Sequence, residues 1–415
     1  MSSVIYHNHT LSNGLRHVHL QLTHSEMIHC AVMISAGSRN ETPQNDGIAH
    51  FIEHSVFKGT ERKKSKKIFA TMEDLGGEIN AYTTRDKTCY YTTCRSQFAD
   101  KALDLLADIA FAPSFPQKEL DKEKGVIIEE IDMYSDLPDE CIFDEWHKYL
   151  YPNHSLGHNI LGTVESVKNI SAEQCQAWRK EHYRADNTVI ATVGKMTAAE
   201  AQALVHKQFA PIEFDNKPIL KLEQPSYYNS SFQQISYRDF SQAHCTIGNF
   251  TFNKLDPKQN VLGLINTYLS HAGMSARLNM ILREKHGLTY NVSTSNLMFT
   301  DSGNFSIYFG CDDKHVFKAL DLVQAELKLL CDKKLATSKL DKTKNQLMGH
   351  IAQMLESPSA QLQRMARMSL DFNHVYTYAD VEKVVKAITV SDIIEVANQV
   401  FDPIMQNVLI YREQK

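Results

Sequence analysis

The chain has 415 residues, 43% of them hydrophobic, and a net charge of -5, which suits two or three soluble domains with real cores. It has no apolar run long enough to span a bilayer, and no basic block that would make nucleic acid the main partner. Its eight cysteines form no C-x-x-C pair, which argues for reduced thiols over a disulfide frame or a thiolate zinc site.

The first residues, Met1 to His7, carry neither a basic segment followed by an apolar stretch nor an Arg-rich leader. The expectation is a chain that stays in the cytoplasm, or one whose leader has already been removed. His7 and His9 read as part of a mobile terminus. His17 and His19 alternate along a strand and are expected to share a polar sheet face.

Residues His50-Phe51-Ile52-Glu53-His54 then spell H-x-x-E-H, an inverted zinc-peptidase helix motif. Positions i and i+4 lie on one helix face, so His50 and His54 can reach one metal, with Glu53 beside them to take a proton from a water. Asn45 and Asp46 are predicted to cap this helix, and Gly59 follows its expected end. Strand character runs from Tyr82 to Cys94, and a helix is predicted over residues 119–137. A catalytic zinc needs a third protein ligand, and this helix offers carboxylates. Glu130 shares a face with Val126, Ile127, Tyr134 and Leu137, whereas Glu129 points toward Lys122. A carboxylate on an apolar stripe is costly unless it is paired or binds a metal, which favours Glu130. Glu123, two turns earlier on the same face, can orient a histidine. Helix geometry alone leaves open that both are satisfied core carboxylates. His154 and His158 also stand at i, i+4, but Pro152, Asn153 and Gly157 argue against a regular helix there.

The second half repeats the first. Lys101-Ala102-Leu103-Asp104-Leu105 returns as Lys318-Ala319-Leu320-Asp321-Leu322, and Leu120-Asp121-Lys122 returns as Leu340-Asp341-Lys342. Each match sits in the same setting, a strand-like stretch, then an amphipathic helix, then a second helix, the later stretch being Tyr290 to Phe309. Two homologous α+β halves of about 200 residues follow, 1–212 and 232–415, with a linker over 213–231. In this register His50 meets Thr267, Glu53 meets Ser270, and His54 meets His271. The second half carries the scaffold without the full motif, so one half is expected to do the chemistry.

Taken together, His50-Phe51-Ile52-Glu53-His54-Ser55-Val56-Phe57-Lys58-Gly59-Thr60, then Glu130 after 75 intervening residues within Val126 to Met133, resemble the pitrilysin/insulinase family of zinc metallopeptidases. Thr10 to Arg16, Leu156 to Gly162, Gly273 to Leu278 and Arg283 to Tyr290 extend the resemblance over essentially the whole chain. It is similar to the short, two-domain type related to mitochondrial processing peptidase. The resemblance implies one Zn2+ per chain held by His50, His54 and Glu130, with Glu53 as general base and Glu123 seven residues before the ligand glutamate. It places Asn80 and Ala81, in Gly76 to Thr83, on an edge strand that binds substrate near the cleaved bond. Arg283 would anchor substrate or position that strand, and Tyr290 would hydrogen-bond the developing oxyanion. Each half should be a mainly antiparallel sheet packed with helices, the two forming one bowl of a clamshell. Two chains would pair as a homodimer around a chamber for short or unfolded peptides, with Arg283 and Tyr290 acting in trans. Alternatives are a non-catalytic binding or assembly subunit, the active subunit of a heterodimeric processing peptidase, and a structural zinc site. No membrane or nucleic-acid partner is expected.

Overall fold

A computed structural model describes residues 5–214, 224–225, 231–270 and 274–414 of the chain. Most of the expected 213–231 linker, together with His271 and Gly273, therefore lies outside the described residues.

The first half runs β1 (Tyr6–Thr10), β2 (Arg16–Gln21), β3 (Met27–Ile34), α1 (Ile48–Ser55), α2 (Ser65–Glu73), β4 (Glu78–Thr83), β5 (Thr88–Arg95), α3 (Ala99–Phe111), α4 (Gln117–Ser135), α5 (Pro138–Leu150), α6 (Val164–Asn169), α7 (Ala172–His182), β6 (Thr188–Gly194) and α8 (Ala198–Phe209). The second half continues with β7 (Gln233–Arg238), β8 (Ala243–Thr251), α9 (Lys258–Leu269), β9 (Asn291–Met298), β10 (Gly303–Cys311), α10 (Val316–Asp332), α11 (Thr337–Leu355), α12 (Pro358–Phe372), α13 (Tyr378–Ala387), α14 (Val390–Val400) and β11 (Asn407–Glu413). The fold is α+β, with two sheets packed with helices.

The two sheets share one topology. The first has the order β1-β2-β6-β3-β5-β4, the second β7-β11-β8-β10-β9. Within each, one pair is parallel, β2 with β6 and β7 with β11, and the others are antiparallel. The repeated sequence words fall on matching helices, α3 with α10 and α4 with α11. The first sheet has one extra strand, β1, whose Tyr6 to Thr10 pair with Leu20 to Arg16 of β2. His7 and His9 are thus held in a strand and do not form a loose terminus. The ladder bonds they make to β2 order this segment.

Both faces of each sheet are covered, which is why the central strands read as apolar runs rather than as clean alternation. On β3, Ile28, Cys30, Val32 and Ile34 join Phe51, Leu103, Leu106 and Trp178 in one cluster, while Ala31 and Met33 point the other way. The second face meets Leu362, Met365 and Ala366 of α12, residues spaced for a single helix stripe. The second sheet repeats the device with Ile142, Trp146 and Leu150 of α5 against Tyr308, Leu409 and Tyr411. Accordingly the described residues within Met1–Asp132, His158–Leu222 and Gln353–Thr377 form one compact unit, and those within Met133–Gly157, Glu223–Ala352 and Tyr378–Lys415 the other. Two stretches, one carrying α5 and one carrying α12, thus pack with the sheet of the half to which they do not belong by sequence order.

His17 and His19 share a face of β2 as expected, but that face is buried. His17 Nε2 lies 2.9 Å and His19 Nδ1 2.8 Å from the Thr192 hydroxyl of β6, and His19 Nε2 lies 2.9 Å from the Met196 carbonyl. Burial lowers the His17 pKa to about 3, with His19 and His9 adding to the effect. Around His154 and His158 the chain makes only a short 3-10 turn at Ser155–Gly157. No helix among the described residues is long and apolar enough to cross a membrane.

Candidate active site

Helix α1 carries the H-x-x-E-H residues and is short, so its placement depends on what holds its ends. Its N-cap is Gly47, at φ +85°, which has no side chain to offer. The capping expected from Asn45 and Asp46 does not occur. Asn45 folds back to accept from Thr42 N–H, and the Asp46 carboxylate lies 3.2 Å from His158 Nδ1. Glu41 supplies the cap instead, with one oxygen accepting from Gly47 N–H at 2.7 Å and the other from Ala49 N–H at 2.8 Å. Gly162, at φ +75°, lies against the same turn, and a Cβ there would sit 2.6 Å from the Asp46 carbonyl oxygen. Local sequence rules miss this arrangement because the capping group comes from six residues upstream.

Helix α4 supplies the carboxylates. Glu123 and Ile127 are buried, but Val126 and Leu137, grouped with Glu130 on an apolar stripe, are 49% and 41% exposed. That stripe is not core, so the cost of burial on it is not what singles out Glu130. Its position is. Glu130 Oε2 lies 3.6 Å from His54 Nε2 and 3.9 Å from His50 Nε2, and ligand atoms of all three fall within 4.8 Å of one another. Glu129 is exposed on another side of the helix.

Three acceptors thus face one another. Burial, reinforced by the neighbouring His54, lowers the His50 pKa to about 3, so this imidazole is neutral. Burial also opposes charge on His54, but the hydrogen bond to Glu123 and the nearby carboxylates of Glu53, Glu130 and Glu123 outweigh it and raise its pKa. With Nδ1–H donated to Glu123 Oε1 at 2.9 Å, the neutral form of His54 presents a lone pair on Nε2 on the side of Glu130. Separations of 3.6–3.9 Å exceed hydrogen-bonding distance. They approach the ~3.4 Å edge of a tetrahedron with ligands ~2.1 Å from its centre. Two imidazoles and a carboxylate so placed fit a divalent cation of the zinc type.

Glu53 stands beside this group, its Oε2 4.0 Å from His50 Nε2. Burial raises its pKa above the ordinary carboxylate range, against the pull of His54. A carboxyl tuned upward takes and returns protons nearer neutral pH. Glu123 behaves oppositely. Burial disfavours its charge, but hydrogen bonds from His54 and Lys58 overcome this and hold its pKa below the usual value. Lys58, to which the sequence reading assigns no part, places Nζ 2.7 Å from Glu123 Oε2.

Asn80 and Ala81 lie on β4, the edge strand of this sheet, against which α1 packs. The Asn80 side-chain oxygen accepts from Ala81 N–H at 2.8 Å. Arg283 and Tyr290 belong to the other compact unit. Arg283 sits in a π-helical stretch, Asn279–Lys285, with its guanidinium 3.6 Å from Glu284, and Tyr290, just before β9, is 89% exposed. Thr267, the counterpart of His50, is on α9 and donates its hydroxyl to the Gly263 carbonyl, so nothing metal-binding replaces the histidine there.

Residues 18–164 match the family profile described as insulinase (peptidase family M16), and residues 169–347 match the profile described as the M16 inactive domain. The uncharacterized zinc protease YmxG of Bacillus subtilis is 31% identical over 393 residues, covering 95% of each chain. The beta subunit of mitochondrial-processing peptidase from Mus musculus is 28% identical, covering 91% of this chain and 78% of the mouse protein. Among solved structures, a protease from Helicobacter pylori superposes with a TM-score of 0.92 at 22% identity, over 99% of both chains. The M16 inactive domain protein from Pseudomonas fluorescens gives a TM-score of 0.92 at 21% identity, over 99% of this chain and 98% of that one.

Proposed function

Since this chain belongs to the insulinase family of peptidases, M16, we propose that it is a zinc-dependent endopeptidase that hydrolyses short or unfolded peptides. The observation that carries the reading is the convergence of His50, His54 and Glu130 with Glu53 beside them. His50, His54 and Glu130 would hold one Zn2+, which when bound supplies Lewis acidity toward a water and a peptide carbonyl. Glu123 keeps His54 turned so that Nε2 faces the centre. The Glu53 carboxylate accepts a proton from the attacking water and delivers it to the departing amine.

Substrate would add to β4 as a further strand, bound through backbone hydrogen bonds that carry little sequence preference. Asn80 must then swing away from the Ala81 amide it occupies. Arg283 and Tyr290 of a second copy would complete the site, with Tyr290 donating to the carbonyl oxygen as charge builds on it. The exposure of Tyr290 suits such a role, because it is available to a partner. We place the homologous halves at 1–212 and 232–415 and the protein in the cytoplasm, where eight free thiols are stable.

The test is direct. Purified protein should contain zinc and cleave an unstructured peptide, and chelator should abolish cleavage. Glu53→Gln should keep the zinc and lose turnover by at least ~100-fold. Full activity in that variant would remove Glu53 from the mechanism. Zinc without hydrolysis in the wild-type chain would favour a binding subunit, with which the match of residues 169–347 to the inactive-domain profile is compatible.

A further inference from the structure

Lys58 lies in the turn that closes α1, where its backbone N–H donates to the Ser55 carbonyl at 3.0 Å. Its ammonium meets one oxygen of Glu123 at 2.7 Å, while the other oxygen of Glu123 accepts from His54 at 2.9 Å. Glu123 is 4% exposed, and these two groups satisfy opposite ends of one carboxylate. His54 and Lys58 are four residues apart on the same segment, so Glu123 reaches across from α4 into a clamp whose two jaws move together.

We infer that Lys58 is a positioning residue for the metal centre. It touches no ligand atom and takes no part in the reaction. By anchoring Oε2 it fixes the plane of the Glu123 carboxylate, and that plane decides where Oε1 meets the His54 ring. With only the imidazole as partner, the carboxylate is free to turn about its terminal bond, and the His54 ring loses the contact that selects its tautomer and aims Nε2 at Glu130. A charge-assisted bond of 2.7 Å to a buried carboxylate is strong enough to hold that oxygen in place. The blander account is that Lys58 only neutralises a buried charge, in which case its loss would lower stability and leave metal affinity alone.

This inference rests on the zinc reading above, and the test separates the two. Zinc affinity of the full chain is measured by competition with a chromophoric chelator, alongside the thermal midpoint of the zinc-free protein. Lys58→Met is expected to weaken zinc binding ~10–100-fold. Lys58→Arg, which keeps a cation in place, should recover to within about threefold of wild type. In a Glu123→Gln background Lys58→Met should cost nothing further, because the group it orients is already impaired. Wild-type affinity in Lys58→Met, a Lys58→Arg loss equal to that of Lys58→Met, or losses that add in the double variant would each overturn the proposal. A wild-type chain that binds no zinc would defeat the underlying reading itself, whatever Lys58 does.

Discussion

At the scale of single residues, the site is a set of side chains brought close enough to hold a cation. His50 and His54 were legible in the sequence because their spacing is a local property of the helix. Glu130 was legible too, but for a different reason from the one the pattern offered. Val126 and Leu137 are exposed, so the apolar-stripe argument does not apply, and the geometry rests on where α4 passes α1. Lys58 and Glu41 carry no local signal, since each acts on a group that only tertiary packing brings near. Two buried histidines set an acid limit on the fold. Burial lowers the His17 pKa to about 3 and that of His182 to about 4, from an ordinary 6.5. Below pH 6.5 the unfolded chain takes up protons that the folded imidazoles refuse, so the stability present above pH 6.5 is lost as pH falls toward those lowered values. Between pH 6.5 and pH 5 each contributes a loss of up to about 2 kcal/mol. The urea midpoint should therefore drop from pH 7 to pH 5, and less steeply in a His17→Gln, His182→Gln variant. Equal slopes in the two proteins would contradict this.

At the scale of elements, α1 is short and is held by groups outside itself. Glu41 satisfies its first amides, and the close approach of Gly47 and Gly162 sets its distance from the 158–162 loop. Neither glycine can take a side chain without moving backbone. Gly162→Ala puts a methyl 2.6 Å from the Asp46 carbonyl oxygen at a positive φ. It is expected to cost about 1–3 kcal/mol and to shift α1 relative to α4. Because His50 and His54 ride on that helix, zinc affinity should fall together with the thermal midpoint. A lowered midpoint with unchanged affinity would show that the loop supports the fold without setting the site. The β1 strand was missed for a related reason. Its alternation is weak, and only the open edge of β2 makes it a strand.

At the scale of the whole molecule, the duplication legible in two short repeated words extends to strand orders that match in the two sheets apart from the extra β1. Among its described residues the second copy keeps the architecture and shows no counterpart of the His50, His54 and Glu130 group, consistent with a division of labour between halves. If Arg283 and Tyr290 act on a partner's zinc half, then mixing inactive Glu53→Gln and Tyr290→Phe chains should restore cleavage. Random pairing makes half the dimers mixed, each with one intact site, so activity should reach roughly a quarter of wild type. No recovery after exchange of subunits would argue against a shared site. By itself the sequence determined what depends on neighbours along the chain: the i, i+4 histidine pair, the helices carrying the candidate ligands, the strand-rich stretches and the repeat. Tertiary structure alone decided the cap on α1, the Lys58 clamp, the strand pairing of β1, and the packing of α5 and α12 on sheets of the other half. The physical reason is that spacing within one element follows from backbone geometry. Which surfaces meet depends on the second face that every buried sheet must cover, and that face accepts any helix with a matching apolar stripe, wherever it lies in the chain.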